Sequence, residues 1–156
     1  MQTDYKQDSL FPIKPAVFSS DDWTTPQHVF DALQIYFDLD PACPVDGPRF
    51  TPCKSFFSSQ HDGLQSDWHG TVFINPPFSK AQPWMQRFLE HGDGIALTLV
   101  SKSRWCDKLF SQADAMLLLP STFRFVEGSI FLPCALWALG QSNADALTHS
   151  GLGCVR

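Results

Sequence analysis

Apolar positions along this chain alternate between two periods. Thr71-Val72-Phe73-Ile74 is a short run of strand formers with no polar face, the pattern of a strand buried on both sides in a parallel sheet. Residues 94–100, 115–119 and 130–139 have the same character, residues 37–42 form a short strand ending in an acid and a proline, and residues 55–57 a briefer one. Between them the spacing is helical. Val29, Phe30 and Leu33 follow Thr24-Thr25-Pro26, where either threonine suits a cap and the proline a first helical position. Trp84, Met85, Phe88 and Leu89 share one face of a helix over residues 81–91 that Gly92 and Gly94 end. Trp105, Leu109 and Phe110 predict an inward face for a helix over residues 103–113. Strands alternating with helices predict a three-layer α/β domain over residues 21–140, with a mostly parallel sheet and a last pair of strands able to close as an antiparallel hairpin. Residues 1–20, with Pro12 and Pro15, predict an extended arm anchored through Leu10, Phe11 and Phe18. Residues 141–156 are rich in Gly, Ser and Asn and predict a loose tail.

Composition narrows the class. Hydrophobic residues are 44% and aromatics 13% of 156 residues, enough for one domain with a real core and too much for a disordered chain. No apolar run is long enough for a bilayer, and no basic-then-apolar leader opens the chain, so a cytoplasmic protein is expected. Cys43, Cys53, Cys106, Cys134 and Cys154 lack close pairing, which predicts free, mostly buried thiols rather than a zinc site or a disulfide scaffold. The five histidines show no ligand spacing. The net charge of -5 argues against a surface coated for nucleic acid. Its distribution changes that picture: ten acids and four bases precede Pro76, whereas seven bases and six acids follow from there on. A polyanion would be met by the second half.

The candidate chemistry lies where the strand at Ile74 stops. Pro76 and Pro77 cannot donate to a ladder, and each biases the residue before it towards an extended conformation. Asn75 and Pro76 are thereby held at the carboxyl end of a strand, where open α/β sheets bind ligands. An aromatic amine carries two hydrogens and a lone pair drained into its ring. The Asn75 side-chain oxygen and the Pro76 carbonyl, each about 3 Å from that nitrogen, could hold both hydrogens and free the lone pair. Phe78 offers a flat apolar face for a base lifted from its stack. Right-handed crossovers predict Asp40 and Asp62 along the same sheet edge.

Several ordered motifs together resemble the phage-type DNA adenine-N6 methyltransferases. They are Asp22-Trp23-x-Thr25-Pro26, Asp38-Leu39-Asp40-Pro41-Ala42, Asp62-Gly63-Leu64, Trp68-x-Gly70 and Asn75-Pro76-Pro77-Phe78, with Ser103-Arg104-Trp105 and Arg124-Phe125 further on. The likeness runs from Asp22 to about Gly140. It implies a Rossmann-like class I S-adenosylmethionine-dependent methyltransferase acting on double-stranded DNA without a metal. Thr25 and Pro26 would hold the methionine carboxylate, Asp40 and Pro41 would lie beside the methionine part, and Asp62 would accept the cofactor's adenine amine. Asn75, Pro76, Pro77 and Phe78 would hold the target base, and Lys80, Arg104 and Arg124 would meet phosphates. Protection of viral DNA inside a host cell would be the purpose. Two positions depart from the pattern: Phe78 stands where tyrosine is commoner, and no clear acid serves the cofactor ribose, Asp46 being a poor match. Two alternatives keep the same residues: another planar amine as acceptor (guanine N2 of RNA or a protein glutamine), or a phage protein that binds DNA or inhibits the host without turnover.

Overall fold

The computed structural model describes residues 21–156; the arm expected over residues 1–20 lies outside the described residues. Seven strands form one sheet: β1 (Phe37–Asp40), β2 (Cys53–Phe56), β3 (Val72–Ile74), β4 (Gly94–Leu99), β5 (Ala115–Leu118), β6 (Cys134–Leu139) and β7 (Cys154–Val155). Four α-helices accompany them: α1 (Gln27–Leu33), α2 (Ala81–His91), α3 (Arg104–Gln112) and α4 (Gln141–His149). The strand order is β2-β1-β3-β4-β6-β5-β7. β2, β1, β3 and β4 pair in parallel, whereas β6 runs antiparallel to both β4 and β5, and β7 antiparallel to β5.

Side chains alternate across this sheet. In β3, Phe73 packs on one face and Val72 and Ile74 on the other; in β6, Leu136 and Ala138 oppose Ala135 and Trp137. The first face is covered by Val29, Phe30 and Leu33 of α1 with Ala144 and Leu147 of α4. The second is covered by Met85 and Phe88 of α2 with Cys106 and Leu109 of α3. Two apolar faces, each needing a cover, give the three layers that the alternating pattern predicts. β3 has little length for pairing, and Asp38 reinforces it. Its Oδ2 accepts from the Thr71 amide at 2.9 Å while its Oδ1 accepts from Lys54 Nζ at 2.7 Å.

Several local expectations are corrected. Residues 141–156 are no loose tail: α4 packs on β5 and β6, and β7 closes the sheet edge. Their polar composition hides a helix because its buried polar residue is satisfied, Asn143 Nδ2 donating to the Leu139 carbonyl at 2.8 Å and to Asp93 Oδ1 at 2.7 Å. The last two long strands do pair as antiparallel neighbours, and β6 in addition inserts beside β4. Phe110 is exposed, its ring meeting the edge of Trp137 at 4.7 Å, while Cys106 takes the inward position. Pro26 sits at the N-cap of α1, and neither threonine caps the helix. Gly92 ends α2 with φ 79°, as the sequence predicts.

Leu147 provides a check on the placement of α4. Its side chain is fully buried, so Leu147→Ala should lower stability by about 2–5 kcal/mol in urea unfolding. A loss under about 0.5 kcal/mol, the range of surface substitutions, would return the segment to a tail.

Candidate active site

β1 and β3 lie side by side, and their carboxyl ends deliver Asp40 and Asn75 to one edge. Between them opens a cavity of about 560 Å³, within the size range of sites for small organic ligands. Thr25, Asp40, Pro41, Asp62, Asn75 and Pro77 all reach its wall. Pro26, Pro76 and Phe78 do not: Pro26 starts α1, Pro76 is buried, and Phe78 packs edge-on against Phe125 with ring centroids 5.9 Å apart. Asp46 lies outside the wall as well.

The Asn75 carboxamide is fixed by its nitrogen. Nδ2 donates to the Trp23 carbonyl at 2.6 Å and to Thr25 Oγ1 at 3.2 Å. A backbone carbonyl can only accept, so the amide nitrogen must face it and the amide oxygen must face away. Both hydrogens of Nδ2 are thus used within the protein, and Oδ1 has no partner among the described residues.

The segment that holds Asn75 is itself held from two sides. The Glu127 carboxylate accepts from the Thr24 amide at 2.8 Å and from the Thr24 hydroxyl, and the Val126 amide donates to the Thr24 carbonyl at 3.2 Å. Trp23 stacks obliquely on Phe125 at 5.5 Å. Asp21 accepts from the amide and hydroxyl of Ser79 at 2.9 and 2.6 Å, and those bonds hold its carboxyl below the usual range. Sequence reasoning missed Glu127 and Asp21. No local pattern marks a carboxylate whose partners come from the other end of the chain.

Asp40 is the electrostatic centre of the cavity. Burial pushes its carboxyl up to about 7, against weaker opposing hydrogen bonds from the Ala42 amide (3.2 Å) and the Thr51 side chain. Burial also pushes up the Cys43 thiol on the cavity wall, and Asp40 adds to that shift. Asp62 lies at the rim, exposed, in a left-handed conformation with φ 47°. The next residue must be glycine for space: a Cβ on Gly63 would lie 2.0 Å from the Pro41 carbonyl oxygen. This contact brings Asp62 to the end of β1. Arg49 also lines the cavity, lying over the Phe50 ring at 5.2 Å, a third residue that sequence reasoning missed.

Lys80 and Arg104 are exposed at the same sheet edge, after Phe78 and at the start of α3. Arg124 differs, because its Nη1 donates to the Ser121 and Phe123 carbonyls at 2.9 and 2.8 Å and so braces its own loop. No group of three or more His, Cys, Asp or Glu residues suited to a metal occurs among the described residues. No helix among them is long and apolar enough to cross a membrane. The thiols are free, with Cys43, Cys106 and Cys134 buried.

The fold and the cavity define a small-molecule site joined to a polar turn at a sheet edge. The model of the DNA N-6-adenine-methyltransferase (Dam) family matches residues 15–130, most of the chain, and the protein belongs to that family. No curated protein matches it in a sequence search.

Asp40 gives the site a pH signature. Its folded pKa of about 7 lies above its ordinary value of 3.8, so protons bind the folded state more tightly. The stabilisation this gives is complete below about pH 4 and is lost as pH rises to about 7. In ligand-free protein, Asp40→Asn should therefore gain stability relative to the parent across that window and level off above it. Parallel denaturation curves with a constant offset from pH 4 to 8 would contradict the shifted carboxyl.

Proposed function

We propose that this protein transfers a methyl group from S-adenosylmethionine to the N6 amine of an adenine extruded from double-stranded DNA, on a Rossmann-like class I methyltransferase fold. One observation carries the reading: the Asn75 carboxamide spends its nitrogen on Trp23 and Thr25, which leaves its oxygen as an acceptor on a cavity that also reaches Asp40 and Asp62. The family match supports the DNA adenine substrate.

The chemistry of the cavity wall fits the donor. A buried carboxyl without a countercharge at Asp40 suits a positively charged ligand, Asp62 at the rim suits an amine, and Phe50 and Trp84 supply apolar faces. Thr25 Oγ1 accepts from Asn75 and keeps its own hydrogen for a carboxylate. When bound, the donor supplies a methyl on a cationic sulfur, which departs as a neutral thioether while adenine N6 takes the methyl and sheds one proton.

The chain's own work is placement. Asn75 Oδ1 and the Pro76 carbonyl accept the two N6 hydrogens, and their bonds strengthen as positive charge grows on the nitrogen, which favours the transition state over the ground state. Phe78, braced by Phe125, gives the base an apolar face. Glu127 and Asp21 act at one remove, by fixing the segment that fixes Asn75. Lys80 and Arg104 meet phosphate, and Arg124 shapes the loop beside it.

Labelled-methyl transfer to unmethylated duplex DNA, alongside calorimetric titration with S-adenosylmethionine, tests this reading. Asn75→Ala should lower transfer at least about 100-fold, the usual cost of losing a polar contact that counts in the transition state. Near-normal transfer by that variant would refute the role of the carboxamide. Donor affinity should rise with pH through about 7 as Asp40 ionises, and Asp40→Asn should bind more weakly and lose that pH dependence. An identical profile in the variant would remove Asp40 from the site.

A further inference from the structure

Outside the cavity, the least expected side chain is Phe131. Its relative exposure is 103%, and Leu132 beside it is 54% exposed. Large apolar groups standing together in water mark interaction sites more often than they occur by accident. The segment carrying them is firmly mounted. Ile130, partly buried, packs against the core, the Pro133 carbonyl accepts from the Val100 amide at 2.8 Å, and the Cys134 carbonyl accepts from the Leu119 amide at 3.0 Å. Phe131 is the crest between these fixed points.

Its place in the fold is informative. β6 begins at Cys134 opposite Leu99, the last residue of β4, so Phe131 precedes β6 at the edge where β3 delivers Asn75. Two strand spacings separate β3 from β6, roughly 10 Å. The same connection carries Phe125, which touches both Phe78 and Trp23. Exposed Lys102 and Arg104 follow Val100, whose amide holds Pro133. An apolar tip on the same sheet edge as these cations and the Asn75 turn suits a polyanion with an apolar interior, and duplex DNA has that character. Extrusion of a base leaves a gap in the stack and costs unstacking energy, and apolar side chains inserted between base steps offset such losses.

We propose that Phe131 is a wedge that enters the DNA base stack next to the target adenine and fills the space the extruded base leaves. The proposal rests on the reading of the protein as a DNA adenine methyltransferase. It assigns Phe131 a role only where a stacked duplex must be opened.

The test uses the full chain, labelled S-adenosylmethionine and unmethylated plasmid DNA, offered as duplex and after heat denaturation. Phe131→Ala should lose roughly 10- to 100-fold in transfer to duplex. Its transfer to denatured DNA should stay within about threefold of the parent's. Phe131→Trp should keep duplex activity, whereas Phe131→Lys, which adds a phosphate contact but no wedge, should fail like the alanine variant. Donor affinity and the unfolding midpoint should be unchanged in all three. Equal losses on both DNA forms, full duplex activity in the alanine or lysine variant, or conversion of a parent dimer to a monomer by Phe131→Ala in light scattering would each overturn the wedge. Where the parent uses duplex alone, the comparison of tryptophan with lysine decides. A parent protein that transfers no methyl to either DNA form would instead sink the functional reading itself.

Discussion

The hydrogen bond from Asn75 to the Trp23 carbonyl is the constraint on which the site depends. It joins the end of β3 to a segment far away in sequence, and it fixes which atom of the carboxamide faces the cavity. A partly buried amide can present either end to a ligand, and the two ends have opposite chemistry. Here the choice is made by an acceptor that cannot change its role. That acceptor is in turn kept in position by the Glu127 carboxylate on Thr24 and by Phe125 against Trp23. Two segments thus act in series on one side chain, residues 125–127 holding residues 23–25 and these holding the carboxamide, and the strand itself contributes only the point of attachment. Networks of this kind hold when every member is satisfied and loosen together when one is lost.

The sequence disclosed the parts governed by local rules. Runs of apolar strand formers marked the strands, helical spacing marked the covering helices, and two prolines marked where β3 must stop. Asp40, Asp62 and Asn75 arrived at one cavity because short parallel crossovers deliver carboxyl ends to a common edge. The parts governed by distant contacts stayed hidden. Nothing near Thr24 announces Glu127, and a hydroxyl that looked like a helix cap has its partner more than a hundred residues away. The polar end of the chain concealed α4 because its composition resembles a linker and its one buried amide is satisfied across the fold. Phe78 stands off the cavity wall, and its ring is braced by Phe125 from a loop that no local pattern connects to it.

The charge distribution separates two kinds of partner. Carboxylates gather around the cavity, and exposed cations lie past the turn at the same edge of the sheet. On the proposed function, a cationic methyl donor and anionic DNA would be drawn to adjacent surfaces without competing for one. The overall negative charge limits indiscriminate adhesion to nucleic acid, so contact with DNA depends on a few cations in register with a shaped surface.

Cys43 gives that cavity a further property. Sulfur nucleophiles react as thiolates, and a thiol on the wall of a site for an alkylating agent is a standing target for modification. Burial and the neighbouring Asp40 both keep the Cys43 proton in place. On the proposed function, the carboxyl that suits a cationic donor also keeps the neighbouring thiol protonated, which would protect the pocket from the reagent it holds.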